Sequence, residues 1–230
     1  MILTHAELES LVHVQHRSPH TLLGMHPLGD GSGVVARAFL PHAAQVEIVP
    51  VHEKKKPRLK LEGVTRESQS VYAYDLVVTD HQGNRTQARD PFSFLPTLGE
   101  TDLYLFGQGN EHRIYEKLGA HLRQIDGVWG TSFAVWAPNA QRVSVVGEFN
   151  QWDGRRHPMR LLGASGVWEI FIPGVGEGTL YKYEIKNIYG TDVLKTDPYG
   201  AFFELAPKNA SIVWNTSKFK WSDEAWMKQR

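Results

Sequence analysis

Trp152 stands in the turn Asn150-Gln151-Trp152-Asp153, directly after a run that alternates like a β-strand. A flat aromatic beside amides and carboxylates can stack on the apolar face of a sugar ring while its neighbours bond the hydroxyls, the usual make-up of a small polar-and-aromatic site. Asn150 and Asp153 are those neighbours, and Lys182, on the polar positions of a later run, could add a donor. Two readings are open on this pattern alone. One is a ligand site; the other is a tryptophan packed on its own turn beside a solvated lysine. No HExxH, Walker-type loop, G-x-S-x-G or G-x-G-x-x-G occurs. Glycosidic chemistry needs two carboxylates set across a bond, and no pair of Asp or Glu is singled out. His16 and His20 are four apart, but Ser18-Pro19 breaks any helix between them. The sequence therefore offers no catalytic residue, no cofactor motif and no metal-ligand set.

The elements that must carry the turn are strands. Phe133, Val135 and Ala137 alternate with Ala134 and Trp136, and Pro138-Asn139-Ala140 turns the chain into Arg142–Phe149. Val143 and Val145 share one face of that second run, and Gly147 is read as an edge or bulge. Further strands are expected at Val167–Ile172, Leu180–Asn187 and Ser211–Trp214. Tyr181, Tyr183 and Ile185 should face a core, and Lys182, Glu184 and Lys186 water. Towards the N-terminus, Thr4 and Glu7 have capping-box spacing and predict a helix from about 5 to 14. Strands follow at Val34–Leu40, Gln45–Val49, Arg58–Leu61 and Val71–Val78. Thr97-Leu98-Gly99-Glu100 is a second capping-box candidate, ahead of a break at Gly107-Gln108-Gly109-Asn110. Ser222-Asp223-Glu224 should start a last helix.

The two halves repeat in order. Leu23-Gly24-Met25-His26 matches Leu118-Gly119-Ala120-His121, and Phe39–Ala43 matches Trp136–Ala140. Val46 and Ile48 fall on Val143 and Val145. Tyr72–Leu76 is aligned with Tyr181–Ile185, and Asp90-Pro91-Phe92 with Asp197-Pro198-Tyr199. The expected fold is all-β: two tandem sandwiches joined by a helical linker, with short flanking helices. The first copy has no counterpart of the Gly147–Asp153 turn.

Composition narrows the classes. Lys and Arg total 25 and Asp and Glu total 25, so no basic excess suggests nucleic acid. Lys54-Lys55-Lys56, before Pro57, is read as a solvated loop. The absence of cysteine excludes disulfides and thiolate chemistry. No 18-residue apolar stretch or cleavable leader is visible, so no membrane partner and a cytoplasmic location are expected.

Residues 112–230 closely resemble the segment that precedes the catalytic barrel of bacterial 1,4-α-glucan (glycogen) branching enzymes. The motifs are Tyr115–His121, Gly127–Thr131, Phe133–Ala140, Val143–Pro158, Leu180–Glu184 and Lys195–Tyr199. Residues 1–111 resemble the extra N-terminal domain of that family more loosely, through Leu23–His26 and Asp90–Phe92. The resemblance implies two immunoglobulin-like domains, 1–111 and 112–230, the second a family 48 carbohydrate-binding module. The partners it implies are an α-glucan (glycogen, amylose or a maltooligosaccharide) and a following (β/α)₈ barrel, of which this chain carries no motif and for which about 250 residues would be needed. No catalytic residue is carried over. Glucan-binding members use a Trp in the F-N-x-W turn, a Lys in the Y-K-Y/F strand and an Asn near the last strand. Those fall on Trp152, Lys182 and Asn209; a second stacking aromatic after the Lys strand falls nearest Tyr189. A stand-alone glucan-binding or scaffold protein, and the accessory region of a related debranching or trehalose-forming enzyme, are the alternatives.

Overall fold

A computed structural model describes residues 3–51, 64–65 and 71–229. The expected strand Arg58–Leu61 and the Lys54-Lys55-Lys56 loop lie outside these residues. Helix α1 is His5–Val12, and its capping box is formed as the spacing predicts: Glu7 N–H donates to Thr4 Oγ1, and Thr4 N–H to the Glu7 carboxylate. The first copy then runs β1 (Gly24–Pro27), β2 (Val34–Arg37), β3 (Ala43–Pro50), β4 (Val64–Thr65), β5 (Tyr74–Asp80) and β6 (Arg85–Arg89). Helix α2 (Glu100–Gly107) lies in the linker. The second copy is β7 (Gly119–Ile125), β8 (Val128–Trp136), β9 (Arg142–Gly147), β10 (Arg160–Leu161), β11 (Val167–Pro173), β12 (Leu180–Lys186), β13 (Asp192–Lys195), β14 (Phe202–Phe203) and β15 (Ser211–Ile212), followed by α3 (Glu224–Met227).

The strand pairing repeats from copy to copy. Antiparallel β1–β2 and β2–β4 recur as β7–β8 and β8–β11; β3–β5 and β5–β6 recur as β9–β12 and β12–β13. The register repeats too. Ile48 faces Leu76 as Val145 faces Tyr183, and Leu76 faces Ala88 as Tyr183 faces Lys195. This corrects one alignment. Tyr74, not Tyr72, is the counterpart of Tyr181, because Pro50 faces Tyr74 where Gly147 faces Tyr181. A slip of two residues keeps every side chain on its face, so alternation alone could not separate the two tyrosines.

Buried polar contacts make the same assignment. Tyr74 donates its hydroxyl to Asp90 Oδ2, whose Oδ1 accepts Phe92 N–H at 2.9 Å. Tyr181 donates to Asp197 Oδ2 at 2.7 Å, and Asp197 Oδ1 accepts Tyr199 N–H at 2.8 Å. Burial pushes the carboxyl of Asp90 up to about 6 and raises that of Asp197, against the hydrogen bonds that favour their charged forms. Gly24 and Gly119 occupy one repeated place, at φ +92° and +102°, where a Cβ would come within 2.8 Å of Phe92 O or 3.0 Å of Tyr199 O. One difference between the copies gives a prediction. Tyr183 also reaches Asp197, at 3.1 Å, whereas Leu76 stands at that position beside Asp90. Tyr74→Phe is expected to cost about 1–3 kcal/mol, the penalty of a buried acceptor left short of a donor, and Tyr181→Phe less. Urea unfolding of both variants checks the order; equal losses would refute it.

The core of the second copy is Phe133, Val135, Val143, Val145, Trp168, Ile170, Tyr181 and Tyr183 between its two sheets. Val143, Val145, Trp168, Ile170, Ile172, Tyr181 and Tyr183 thus take the core side that alternation predicts. The outer face of the β8–β11 sheet is buried as well. Leu98 packs there with Leu118, Ala134, Leu162 and Val167, and α2 adds Leu103 and Phe106. Thr97 is not the cap of α2. Its N–H and hydroxyl both go to Glu169 Oε1, at 3.1 and 3.0 Å, and Gly99 takes the cap position with its N–H on Asp102. Gly147 likewise ends β9 in regular register opposite Tyr181 and forms no bulge.

Candidate carbohydrate-binding site

Strand β9 delivers the Trp152 turn. After Gly147 the chain makes one short helical turn over Glu148–Asn150, then Gln151 and Trp152 take left-handed backbone at φ +58° and +60°. Trp152 N–H closes the turn on Gly147 O at 2.9 Å. Asn150 holds it from inside. Its Oδ1 accepts Gly147 N–H, and its Nδ2 donates to Val145 O at 2.8 Å and to His157 Nδ1 at 2.9 Å. Asn150 is fully buried. It is therefore the anchor of the turn and has no polar group left for a ligand, contrary to the expectation from sequence. Trp152 remains 38% exposed. Asp153 is clamped by Arg155 through Nε and Nη2, and these bonds hold its carboxyl below the usual carboxylate range.

The turn folds back over the polar face of β9 and β12. Gly154 is pressed against the Glu184 carboxylate and Arg142, where a Cβ would come within 2.1 Å of Glu184 Oε1. Lys182, Glu184 and Lys186 alternate along that face, as their spacing requires. Arg142, nearly buried, donates to Glu184 at 2.7 Å and to Asp192 at 2.5 Å. Lys182 lies opposite Val146, one residue from the Gly147 carbonyl that binds Trp152. Its ammonium donates to Asn209 Oδ1, so these two expected residues meet at the surface. Tyr189 does not join them. It sits 86% exposed in the turn beyond Lys186, and the strand from Lys182 to Lys186 alone spans about 13 Å. The position on β13 that shares the polar face is Leu194, opposite Glu184 and 54% exposed. Trp152 shares its cleft with Arg142, Glu184, Lys186 and Asp192, while Lys182 and Asn209 pair with each other and are not among its lining. The Arg142–Glu184–Asp192 cluster and Leu194 were not singled out from sequence; only the facing of β12 with β9 and β13 brings them in. Among the described residues no three His, Cys, Asp or Glu side chains converge to hold a metal ion.

A β-sandwich presenting an exposed tryptophan on a locked polar turn has the construction of a carbohydrate-binding module. Residues 117–200 match the family described as "Carbohydrate-binding module 48 (Isoamylase N-terminal domain)", and residues 4–92 match "alpha-1,4-glucan branching enzyme GlgB, N-terminal domain". The 1,4-alpha-glucan branching enzyme GlgB of Myxococcus xanthus is 47% identical over 98% of this chain and 31% of its own length. That of Rubrobacter xylanophilus is 49% identical over 97% of this chain and 31% of its own. The chain is homologous throughout to the N-terminal part of the 1,4-alpha-glucan branching enzymes, and spans about a third of the length of these relatives. The crystal structure of ligand-free PulA from Klebsiella pneumoniae overlaps 85% of this chain and 21% of its own, at 17% identity and a TM-score of 0.38, too low an agreement to argue from. No helix among the described residues is long and apolar enough to cross a membrane.

Proposed function

We propose that this chain is the non-catalytic, glucan-binding part of a 1,4-α-glucan branching enzyme, and that its second copy holds an α-glucan on Trp152. The observation that carries the reading is the Trp152 ring, left 38% exposed by a turn whose every other anchor is buried or hydrogen-bonded. Lys182 and Asn209, hydrogen-bonded to each other on the strand paired with the one that leads into the Trp152 turn, would supply an ammonium and an amide for sugar hydroxyls. Residues 1–111 and 112–230 act as two units, and a following barrel would cleave the α-1,4 chain and rejoin it as an α-1,6 branch. Exposed Phe202 and Trp214, with ring centroids 4.6 Å apart and planes tilted by 32°, together with Phe219 and Trp221, offer that barrel an apolar surface. A cytoplasmic location fits this role. The match of residues 4–92 to the branching-enzyme N-terminal domain favours this reading over a debranching or trehalose-forming relative.

Titration with maltoheptaose tests the site. Trp152→Ala should weaken binding roughly thirtyfold or more, the loss of an anchor contributing about 2 kcal/mol. Circular dichroism should stay unchanged. Equal binding by both proteins would dismiss Trp152, and loss of the folded signal would make it a core residue.

A further inference from the structure

The end of α1 is strained, and it lies against the Trp152 turn. Val14 N–H bonds to Leu11 O at 3.0 Å and Gln15 N–H to Ser10 O at 2.7 Å, the paired bonds of a helix terminus whose turning residue is usually glycine. Here that residue is Val14, at φ +50° and only 6% exposed. A β-branched side chain in this conformation is an outlier. Among the described residues four that are not glycine have positive φ: Val14, Asp126, Gln151 and Trp152. Three of the four line one cleft. It encloses about 470 Å³ between Val12–Val14 and the Trp152 turn, over Arg142, Glu184 and Lys186. Strained backbone persists where its surroundings over-determine it, and it gathers at ligand clamps. The two strained stretches are far apart in the chain, so local sequence does not explain their meeting.

The charges of the cleft narrow its ligand. Arg142 is spent on Glu184 and Asp192, and Arg155 on Asp153. Lys186 lines the cleft as well, and Glu184, Asp192 and Asp153 balance Arg142, Arg155 and Lys186 in charge, which suits an uncharged polyol better than a phosphate. His13 stands at the rim with 61% of its side chain exposed. Its Nε2 is 3.1 Å from Glu9, and its Nδ1 has no partner among the described residues.

We propose that the sugar site is composite. The end of α1 is its second wall, His13 bonds a glucan hydroxyl, and Val14 is a positioning residue that holds this wall in place. The first copy, bearing the wall, thus helps to decide which glucan chains the second copy admits. The proposal rests on the reading of Trp152 as the stacking platform.

The test uses the whole 230-residue chain and maltoheptaose, with thermal melting as the folding control. Val12→Trp, at a residue 42% exposed, should fill the cleft and weaken binding about tenfold or more, close to what one buried anchor contributes. His13→Ala should weaken it about fivefold, the effect of one hydrogen bond. Both variants should melt as the wild type does. Wild-type affinity in both variants, with binding lost in Trp152→Ala, would overturn the composite site and leave the Trp152 site standing. Undiminished binding by Trp152→Ala would remove both.

Discussion

Glu169→Ala is expected to destabilise the protein by about 3–5 kcal/mol, the cost of removing one partner from a buried ion pair. Glu169 is fully buried, and Arg160 only 7% exposed. Arg160 Nε and Nη2 both lie 2.8 Å from Glu169 Oε2, and Arg160 Nη1 donates to Phe94 O at 2.8 Å. The other oxygen of Glu169 takes both donors of Thr97. Removing the carboxylate therefore leaves a guanidinium out of water with only a carbonyl to meet it, and leaves the linker unpinned from β11. At about 2–4 °C per kcal/mol for a chain of this size, the melting temperature should fall by roughly 10 °C. The double variant Arg160→Met/Glu169→Leu should recover most of the loss, because it strands no charge and refills the volume. Calorimetry of the three proteins measures this. A Glu169→Ala loss under about 1 kcal/mol, the range of an exposed pair, would show that water reaches the site.

A second large effect is expected with pH. Burial holds the imidazole of His157 down to about 3, with the charges of Arg156 and His42 acting in the same direction. Geometry gives the same sign. His157 Nδ1 accepts a hydrogen bond from Asn150 Nδ2, and protonating Nδ1 would set donor against donor. The folded state thus binds fewer protons than the unfolded state between about pH 6.5 and pH 3. The contribution of His157 is present above pH 6.5 and lost as pH falls through that window, by about 1.4 kcal/mol per pH unit. His20, which burial holds down to about 2, acts in the same sense. Asp90, held up to about 6, acts oppositely: it stabilises at low pH and loses that contribution as pH rises from about 4 to 6. The net slope therefore mixes signs, and one substitution isolates a single group. His157→Gln keeps an acceptor for Asn150 and does not titrate. The stability of the wild type minus that of His157→Gln should shrink by several kcal/mol from pH 7 to pH 4. A difference constant with pH would mean that His157 titrates alike folded and unfolded. Because Asn150 anchors the Trp152 turn, wild-type glucan affinity should fall over the same range.

Much of this protein is written in its local pattern. Period-two alternation in Leu180–Lys186 sufficed to turn Tyr181 and Tyr183 to the core, because a strand with one buried face leaves no choice of side. The Thr4–Glu7 spacing sufficed to start α1, because a capping box closes within one turn. The ordered matches other than Tyr72–Leu76 sufficed for the repeat, and the F-N-x-W turn for the family resemblance. What the pattern could not carry is whatever depends on a partner distant in the chain. Tyr72 and Tyr74 are equivalent to alternation, and only the buried carboxylate of Asp90 selects between them. Thr97 fits a cap by spacing, yet a fully buried Glu169 needs its donors more. Asn150 reads as a ligand residue because amides bind sugars, but two backbone groups and His157 consume it. Tyr189 follows the Lys182 strand in sequence, while antiparallel register sets Leu194 beside that strand. The meeting of Val14 with Trp152 has no sequence signature at all: it follows from packing one copy on the other, with Leu161 N–H on Arg17 O at 2.8 Å beside it.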